Sequence, residues 1–283
     1  MGLLSAVKRA ILTAPADGPQ ALFPVADCER DCDSCLGKFP STVKIERNDP
    51  LWGSVKPWRR HILVATGKTD WAHSGADEPK SLVGKLEQWD QKESPGRVSV
   101  SNSSMPPPEE YVTAPTNALP PTNMLVLPLC LEAHNVTHED AIEVARTLTA
   151  IDSPDAPVPE TIGSATVSKV AHFAVILLCS HRTRDKRCGV TAPILKKEFE
   201  HNLRDHGLLR DATDSRPGGV PIYFINHVGG HKYAGNVIIY RSNGEGIWLG
   251  RVEPKHVKAI VEETVLHGRV FPEQVRGGFV SDW

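Results

Sequence analysis

Two cysteines and two histidines stand at short, regular intervals in the second half of the sequence. Cys179 and Cys188 are separated by eight residues in the segment CSHRTRDKRCG, and His227 and His231 are separated by three in NHVGGHKYAGN. Two thiolates and two imidazoles form a complete set of four metal ligands, which suits either tetrahedral zinc or an iron-sulfur cluster with mixed ligation. The sequence therefore predicts a metal centre built from these four residues.

The spacing of the two cysteines favours the larger of these centres. Structural zinc sites usually place paired cysteines two to four residues apart, whereas the loop from Cys179 to Cys188 encloses more space than one small ion needs. We therefore expect a 2Fe-2S cluster. A zinc ion is the first alternative, and thiol redox chemistry without a metal is the second.

A cluster with these ligands predicts a redox protein. Neutral histidines in place of two thiolates reduce the negative charge of the cluster and raise its potential. A ring nitrogen of His227 or His231 that does not bind iron is expected to exchange protons with solvent, which would couple proton and electron transfer. We expect an electron carrier or a small reductase component rather than a stand-alone enzyme. The alternative is a zinc- or cluster-binding scaffold or sensor without an electron-transfer role.

The residues around the candidate ligands suit an anionic centre. Gly229 and Gly230 leave room for the backbone to approach a cluster and to donate N–H groups to its sulfides. Cys188 precedes a predicted helix N-terminus, whose partial positive charge favours a thiolate. The same loop carries basic side chains, at His181, Arg182, Arg184, Lys186 and Arg187. Three cations are candidates for docking a redox partner, with solvated loop charges as the alternative: Arg182, Lys186 and Lys232.

The predicted strands of the second half bring the candidate ligands to one edge of a sheet. The apolar run HFAVILLC (residues 172–179) predicts a buried strand that ends at Cys179, and VPIYFIN (residues 220–226) predicts a strand that ends just before His227. Ligands of open α/β sheets bind beyond the carboxyl ends of the strands. We therefore expect Cys179 and His227 to be neighbours.

The remaining elements complete a β-α-β-β-β-α order. A helix capped by Thr191 repeats apolar residues every four positions until Gly207 ends it. The segment NVIIYRSNGEGIWLGRV predicts a hairpin around Asn243 and Gly244, and Pro254 opens the last helix. This order resembles the core of the thioredoxin fold.

The first half repeats this theme in a weaker form. Strands are predicted at residues 61–67 and 123–130, and helices at residues 81–89 and 138–151. Its first loop, KTDWAHSG, contains no cysteine, so we expect a degenerate copy that does not hold the same centre. The predicted fold class is α/β with two thioredoxin-like domains, of which the first is degenerate.

Two proline-rich stretches divide the chain. Residues 93–123 contain SNSSMPPPEE and TNALPPTN and predict a disordered insertion, and residues 152–165 predict an interdomain linker. The expected regions are an N-terminal segment with a cysteine cluster (1–50), a degenerate domain (51–151), the linker (152–165), a 2Fe-2S domain (166–270) and a C-terminal tail (271–283).

The two ligand segments, together with LWGSVKPWRRHILVATGKTDW, resemble the sucrase/ferredoxin-like family. The likeness extends over roughly residues 28–268. It implies that the second domain is a thioredoxin-like ferredoxin, in which two histidines replace two of the usual cysteine ligands of a 2Fe-2S cluster. On this sequence the implied ligands are Cys179, Cys188, His227 and His231. No paired carboxylates suggest glycoside hydrolysis, so the word "sucrase" in the family name leads to no prediction of such an activity.

Other potential ligands give weaker signals. Three cysteines near the N-terminus supply only three ligands for a zinc site, so exposed free thiols are the alternative. They are Cys28, Cys32 and Cys35. His134 and His138 follow Cys130 with the spacing of the candidate histidine pair, but no second cysteine accompanies them, and a polar helix start is the simpler interpretation.

The sequence ends on a tryptophan in a polar, glycine-bearing segment. Asp282 and Trp283 resemble the terminal signal by which client proteins are recognised by the cytosolic iron-sulfur assembly machinery, although Ser281 stands where that signal prefers an aliphatic residue. We expect this partner to recognise the tail. A tryptophan folded back onto the domain is the alternative.

The composition restricts the remaining partners. The 283 residues carry 32 Lys and Arg against 34 Asp and Glu, and no apolar stretch is long enough to span a bilayer, so neither nucleic acid nor a membrane is expected as a partner. The expected compartment is the cytoplasm. The alternative is mitochondrial, since the first acidic residue is Asp17. No nucleotide-binding fingerprint is present, so electrons should come from a partner, most simply a flavoprotein reductase.

Overall fold

The computed structural model describes residues 17–33, 35–90, 96–214 and 216–281. Within these ranges it contains twelve β-strands and five α-helices. The strands are β1 (Arg60–Ala65), β2 (Val98–Ser103), β3 (Thr122–Leu127), β4 (Leu131–Val136), β5 (Thr161–Ile162), β6 (Ala165–Lys169), β7 (Ala174–Cys179), β8 (Leu209–Arg210), β9 (Val220–Ile225), β10 (Val237–Arg241), β11 (Glu245–Leu249) and β12 (Val275–Val280). The helices are α1 (Val83–Leu86), α2 (Glu109–Thr113), α3 (Ala141–Ala150), α4 (Lys186–Asp205) and α5 (Val257–Ala259), which continues as a π-helix over Ile260–Val265.

The strands form one mixed sheet, so the predicted α/β class is confirmed. Eleven strands follow the order β12-β11-β10-β7-β9-β2-β1-β3-β4-β6-β5, and β8 pairs with the start of β9. In the second half β9 is parallel to β7, while β10 is antiparallel to it. In the first half β2 is parallel to β1, while β3 is antiparallel to it. Both halves therefore use the same strand order, and they join where Ser103 pairs with Ile225.

The second strand of the first half lies inside the predicted insertion, and this corrects the expectation of disorder over residues 93–123. Strand β2, helix α2 and the start of β3 all fall in that range. The strand reads VSVSNS, so its composition is typical of a loop, but its last three side chains are buried. Burial is tolerated because the Asn102 side chain contacts Ser81 Oγ at 2.5 Å and donates to the Gly75 carbonyl at 2.9 Å.

Two further boundaries differ from those expected. The stretch predicted as a linker ends in β5 and the first residue of β6, and β6 pairs with β4 of the first half. The segment predicted as a tail contains β12, which pairs with β11 at the edge of the sheet. These strands gave a weak sequence signal because β5 has only two residues and β12 contains two glycines.

The sheet is folded so that its two halves pack face to face. His61 on β1 and Tyr240 on β10 are four strands apart in the sheet order and would lie about 19 Å apart in a flat sheet. Their Nδ1 and Oη atoms are 3.0 Å apart. Side chains from both halves therefore share one central core, including Trp58, Leu177 and Trp248. Helices α4 and α5 cover one outer face, and α1 and α3 cover the other.

A buried polar cluster crosses this central core. His61 is fully buried, and its ring contacts Tyr240 Oη at 3.0 Å and Ser101 Oγ at 2.9 Å. Trp58 Nε1 donates to the same Tyr240 hydroxyl at 2.8 Å. Burial lowers the pKa of His61 to about 3, so the imidazole is neutral in the folded protein at neutral pH.

We predict that His61 makes the protein less stable in mild acid. Its folded pKa of about 3 lies below the ordinary value of 6.5, so the unfolded chain takes up the proton first as the pH falls. Between pH 7 and pH 5 this should remove about 2 kcal/mol from the free energy of unfolding. Denaturant unfolding should show a smaller loss over this interval in His61→Gln than in the parent. His206→Gln, which removes an exposed imidazole, is the matched control, and an unchanged loss in His61→Gln would contradict this origin.

Candidate metal centre

Cys179 and Cys188 meet at the carboxyl end of β7. Cys179 is the last residue of that strand, Cys188 lies in the first turn of α4, and both side chains are buried. Hydrogen bonds from the Cys188 thiol and from His227 hold the pKa of Cys179 well below its ordinary value, despite burial. The same pairing and the same burial raise the pKa of Cys188. The two sulfurs are thus close enough to share one hydrogen bond.

Helix α4 begins earlier than expected, and this changes the position of Cys188. Thr191 was the predicted cap, but Asp185 caps the helix by accepting from the Arg187 backbone N–H at 2.9 Å. The helix therefore carries Pro193 in its interior. Cys188 lies within the first turn rather than ahead of it, where the helix dipole still favours a thiolate.

His227 and His231 lie on the loop that follows β9. The centroids of their rings are 5.1 Å apart, and His231 Nδ1 lies 3.5 Å from His227 Nε2. The Nδ1 atom of His227 is buried without a hydrogen-bond partner in the described part of the chain. The side chain of His231 is 44 % exposed, and its Nε2 lies 3.9 Å from the Asp185 carboxylate. One imidazole thus faces the cysteines, and the other reaches the surface.

The donor set suits a metal centre that needs two pairs of ligands. Two sulfurs lie together at the end of β7, two imidazoles lie together after β9, and His227 links the pairs through its contact with Cys179. A buried imidazole nitrogen without a partner is the kind of atom that a metal would satisfy. In the described ranges, no three His, Cys, Asp or Glu side chains are grouped around one point to hold a single ion.

His181 fixes the relation between the two ligand loops, a role that was not predicted. The sequence suggested only a member of a basic loop, but the side chain is buried. Its Nδ1 accepts from the His227 backbone N–H at 3.1 Å, and its Nε2 lies 3.2 Å from the Trp71 carbonyl. The neutral tautomer with the proton on Nε2 satisfies both contacts. One imidazole thereby joins the cysteine loop, the histidine loop and the first half of the chain.

The first-half loop KTDWAHSG clamps the cysteine loop. Asp70 accepts from the Thr183 backbone N–H at 3.0 Å and from its hydroxyl at 2.7 Å, and these hydrogen bonds lower the pKa of Asp70 against the opposing effect of burial. Ser180 Oγ donates to the Thr69 carbonyl at 2.6 Å. This loop contains no cysteine, and its hydrogen bonds hold the loop of the second half that carries Cys179 and Cys188.

Arg276 holds the histidine loop through hydrogen bonds, a role that the sequence did not predict. It lies on β12 and is 2 % exposed. Its guanidinium donates to the Gly229 carbonyl at 3.1 Å and to Asn236 Oδ1 at 2.8 Å. Burial lowers the pKa of Arg276 to about 10, although nearby Tyr233 and the two cysteines favour the charged form. A buried positive charge therefore lies beside the candidate thiolates.

The residues predicted to surround the centre occupy different roles. Gly229 and Gly230 both have positive φ angles, of 88° and 70°, which glycine adopts without strain. Arg182 packs against Gly189 of α4, where an added Cβ would lie 2.4 Å from the arginine Cβ. Lys232 forms an exposed ion pair with Asp49.

Other predicted residues lie apart from the centre or outside the described ranges. Cys28 is exposed, while Cys32 and Cys35 are partly buried and line a cleft with His201 and Asp205 of α4. Asp282 and Trp283 lie outside the described residues. No helix in the described ranges combines the length and apolar character that a membrane span requires.

The chain is similar to known fungal proteins over most of its length. The family profile described as Sucrase/ferredoxin-like matches residues 51–277. Actin patches distal protein 1 of Saccharomyces cerevisiae is 37 % identical over 88 % of this chain and 83 % of its own. Altered inheritance of mitochondria protein 32 of Debaryomyces hansenii is 29 % identical over 88 % of this chain and 93 % of its own. No solved structure matches the chain.

We predict that Gly230→Ala is more destabilising than Gly229→Ala. Both substitutions place a side chain at a positive φ, which costs about 1 kcal/mol. Only at Gly230 would the new Cβ lie 2.0 Å from the Arg276 guanidinium, whereas nothing lies within 4 Å of a Cβ at Gly229. Arg276 is buried and hydrogen-bonded, so we expect a further loss of about 1–3 kcal/mol in the free energy of unfolding. Equal losses in denaturant unfolding would show that Arg276 does not restrain this loop.

Proposed function

The chain belongs to the sucrase/ferredoxin-like family, and we propose that it binds a 2Fe-2S cluster through Cys179, Cys188, His227 and His231 and transfers single electrons. The observation that carries this proposal is the meeting of a buried cysteine pair with a histidine whose buried Nδ1 has no partner in the described ranges. This donor set is neither all thiolate nor all imidazole, as mixed ligation of a cluster requires.

The pairing of the donors supports a cluster over a zinc ion. Tetrahedral zinc requires three or four donors around one point, whereas the donors here lie as one pair of sulfurs and one pair of imidazoles. In a 2Fe-2S cluster each iron takes only two protein ligands. A pair of sulfurs next to a pair of imidazoles therefore suits two irons better than one ion.

The topology supports a thioredoxin-like ferredoxin as the finer description of the second half. Strands β7, β9, β10 and β11 follow the order and directions expected for the core of that fold, with α4 crossing between the two parallel strands. The first half has the same strand order without cysteine in its first loop. We therefore propose a degenerate thioredoxin-like copy that supports the cluster-binding copy.

The surrounding residues suit electron transfer at a controlled potential. A bound 2Fe-2S cluster would supply a centre that accepts and returns one electron. Burial of Cys179 and Cys188 excludes water from the sulfurs, and the buried cation of Arg276 offsets negative charge there. Neutral histidine ligands also reduce the negative charge of the centre. The Arg276 cation and the histidine ligands therefore both favour a reduction potential above that of all-cysteine ferredoxins.

The partners and the compartment follow from this proposal. The chain carries no nucleotide-binding fingerprint, so we propose that a flavoprotein reductase supplies the electrons. The cytoplasm is the proposed compartment. Mitochondria are the alternative, because the name of the Debaryomyces hansenii relative refers to them.

We predict that the ligand cysteines are required for iron. Protein purified without oxygen should contain about two irons and two sulfides per chain. Cys179→Ser and Cys188→Ser should each lose most of this iron, because a hydroxyl is a poor substitute for a thiolate. Cys28→Ser, which changes an exposed thiol outside the centre, should keep it. Iron and acid-labile sulfide analysis of the three variants provides the measurement, and full retention of both elements in Cys179→Ser would overturn the ligand assignment.

A further inference from the structure

His231 approaches the protein surface much more closely than the two proposed cysteine ligands do. Cys179 and Cys188 are 3 % and 1 % exposed, whereas the His231 side chain is 44 % exposed. Electron transfer between proteins needs a short path from one centre to the other. A partner that approaches over His231 would therefore reach the centre by a more exposed route than one over either cysteine.

The exposed loop beside His231 carries positive charge that carboxylates do not neutralise. Arg182, Arg184 and Lys186 are exposed, and no ion pair involves them among the described residues. Arg184 instead hydrogen-bonds His73 at 3.2 Å. Asp185 lies between these cations in sequence and 3.9 Å from His231, so the loop and the exposed imidazole adjoin.

The two nearby carboxylates offset only part of this positive charge. Asp185 accepts from Arg187 Nε at 3.0 Å and from its terminal nitrogen at 2.7 Å. Asp70 accepts two hydrogen bonds from Thr183. Asp185 is balanced by Arg187 and Asp70 keeps its negative charge, so the three cations still leave this loop positive in a chain whose net charge is −2. The positive field is local to the loop that holds both proposed cysteine ligands.

We propose that this loop is the docking surface for the electron donor, and that the donor is a flavin-carrying protein whose cofactor edge is ringed by carboxylates. The inference rests on the proposed function. Charge complementarity of this kind steers encounter and orients two proteins before they touch, so that the flavin edge faces His231. A cluster held by the four proposed ligands would then take up the one electron that the reduced flavin loses. No group is transferred, and no further oxidant or reductant is needed.

Charge reversal tests the surface directly. The docking variant Arg182→Glu/Arg184→Glu/Lys186→Glu is compared with Lys197→Glu/Arg204→Glu/Lys258→Glu, whose three exposed cations lie elsewhere on α4 and α5. Both variants change the net charge equally. The probe is a reduced flavodoxin-type FMN protein mixed in a stopped-flow instrument with the cluster-loaded full chain. The bimolecular rate of cluster reduction is followed at about 20 mM salt, where exposed charges interact over a long range, and at about 500 mM salt, where they are screened.

At low salt the docking variant should react at least about tenfold more slowly than the parent, while the control variant stays within about twofold. High salt should bring all three rates together. The neutral variant Arg182→Gln/Arg184→Gln/Lys186→Gln should react at an intermediate rate, because it keeps most of the side-chain packing and removes only the charge.

Two results would overturn the proposal, and they are distinguishable from failure of the cluster assignment. Equal rates in the docking and control variants, or a parent rate independent of salt, would assign these cations to another role, such as contact with nucleic acid or an anionic membrane. Dithionite, which needs no docking surface, should reduce every variant fully. A parent protein that lacks a reducible cluster would instead reject the proposed function, and the docking proposal with it.

Discussion

The buried imidazole of His181 ties together the three chain segments that form the candidate metal centre. It is held by the carbonyl of Trp71 from the first half and by the backbone N–H of His227 from the histidine loop. Because His181 is two residues beyond Cys179, these contacts fix the direction in which the cysteine loop leaves β7. The His181 ring must be neutral to make both hydrogen bonds, since a protonated ring could not accept from the His227 backbone N–H.

The first half of the chain acts as a support for the second. The sheet folds back at the single pairing of β2 with β9, which places the loop of the first half against the cysteine loop of the second. His61 and Tyr240 hold the two sheet faces together inside the core. The first half, whose first loop contains no cysteine, thus supports the loop that carries Cys179 and Cys188.

The sequence predicted the elements whose signals are local and missed those set by distant contacts. Unbroken apolar runs identified β7 and β9, and the rule for parallel strands then placed Cys179 near His227. Strand β2 was missed because its buried serines and asparagine are satisfied by partners more than twenty residues away, such as Ser81. Arg276 was missed for the same reason, since only the pairing of β12 with β11 brings it beneath Gly229.

Pulsed electron paramagnetic resonance on the reduced protein, with histidine labelled by ¹⁵N, tests the mixed-ligand centre most directly. We predict the signal of a one-electron-reduced 2Fe-2S cluster with couplings from two histidine nitrogens, of which one is lost in His227→Cys and one in His231→Cys. A reduced cluster without nitrogen coupling, or a colourless protein that contains zinc and gives no signal, would contradict it.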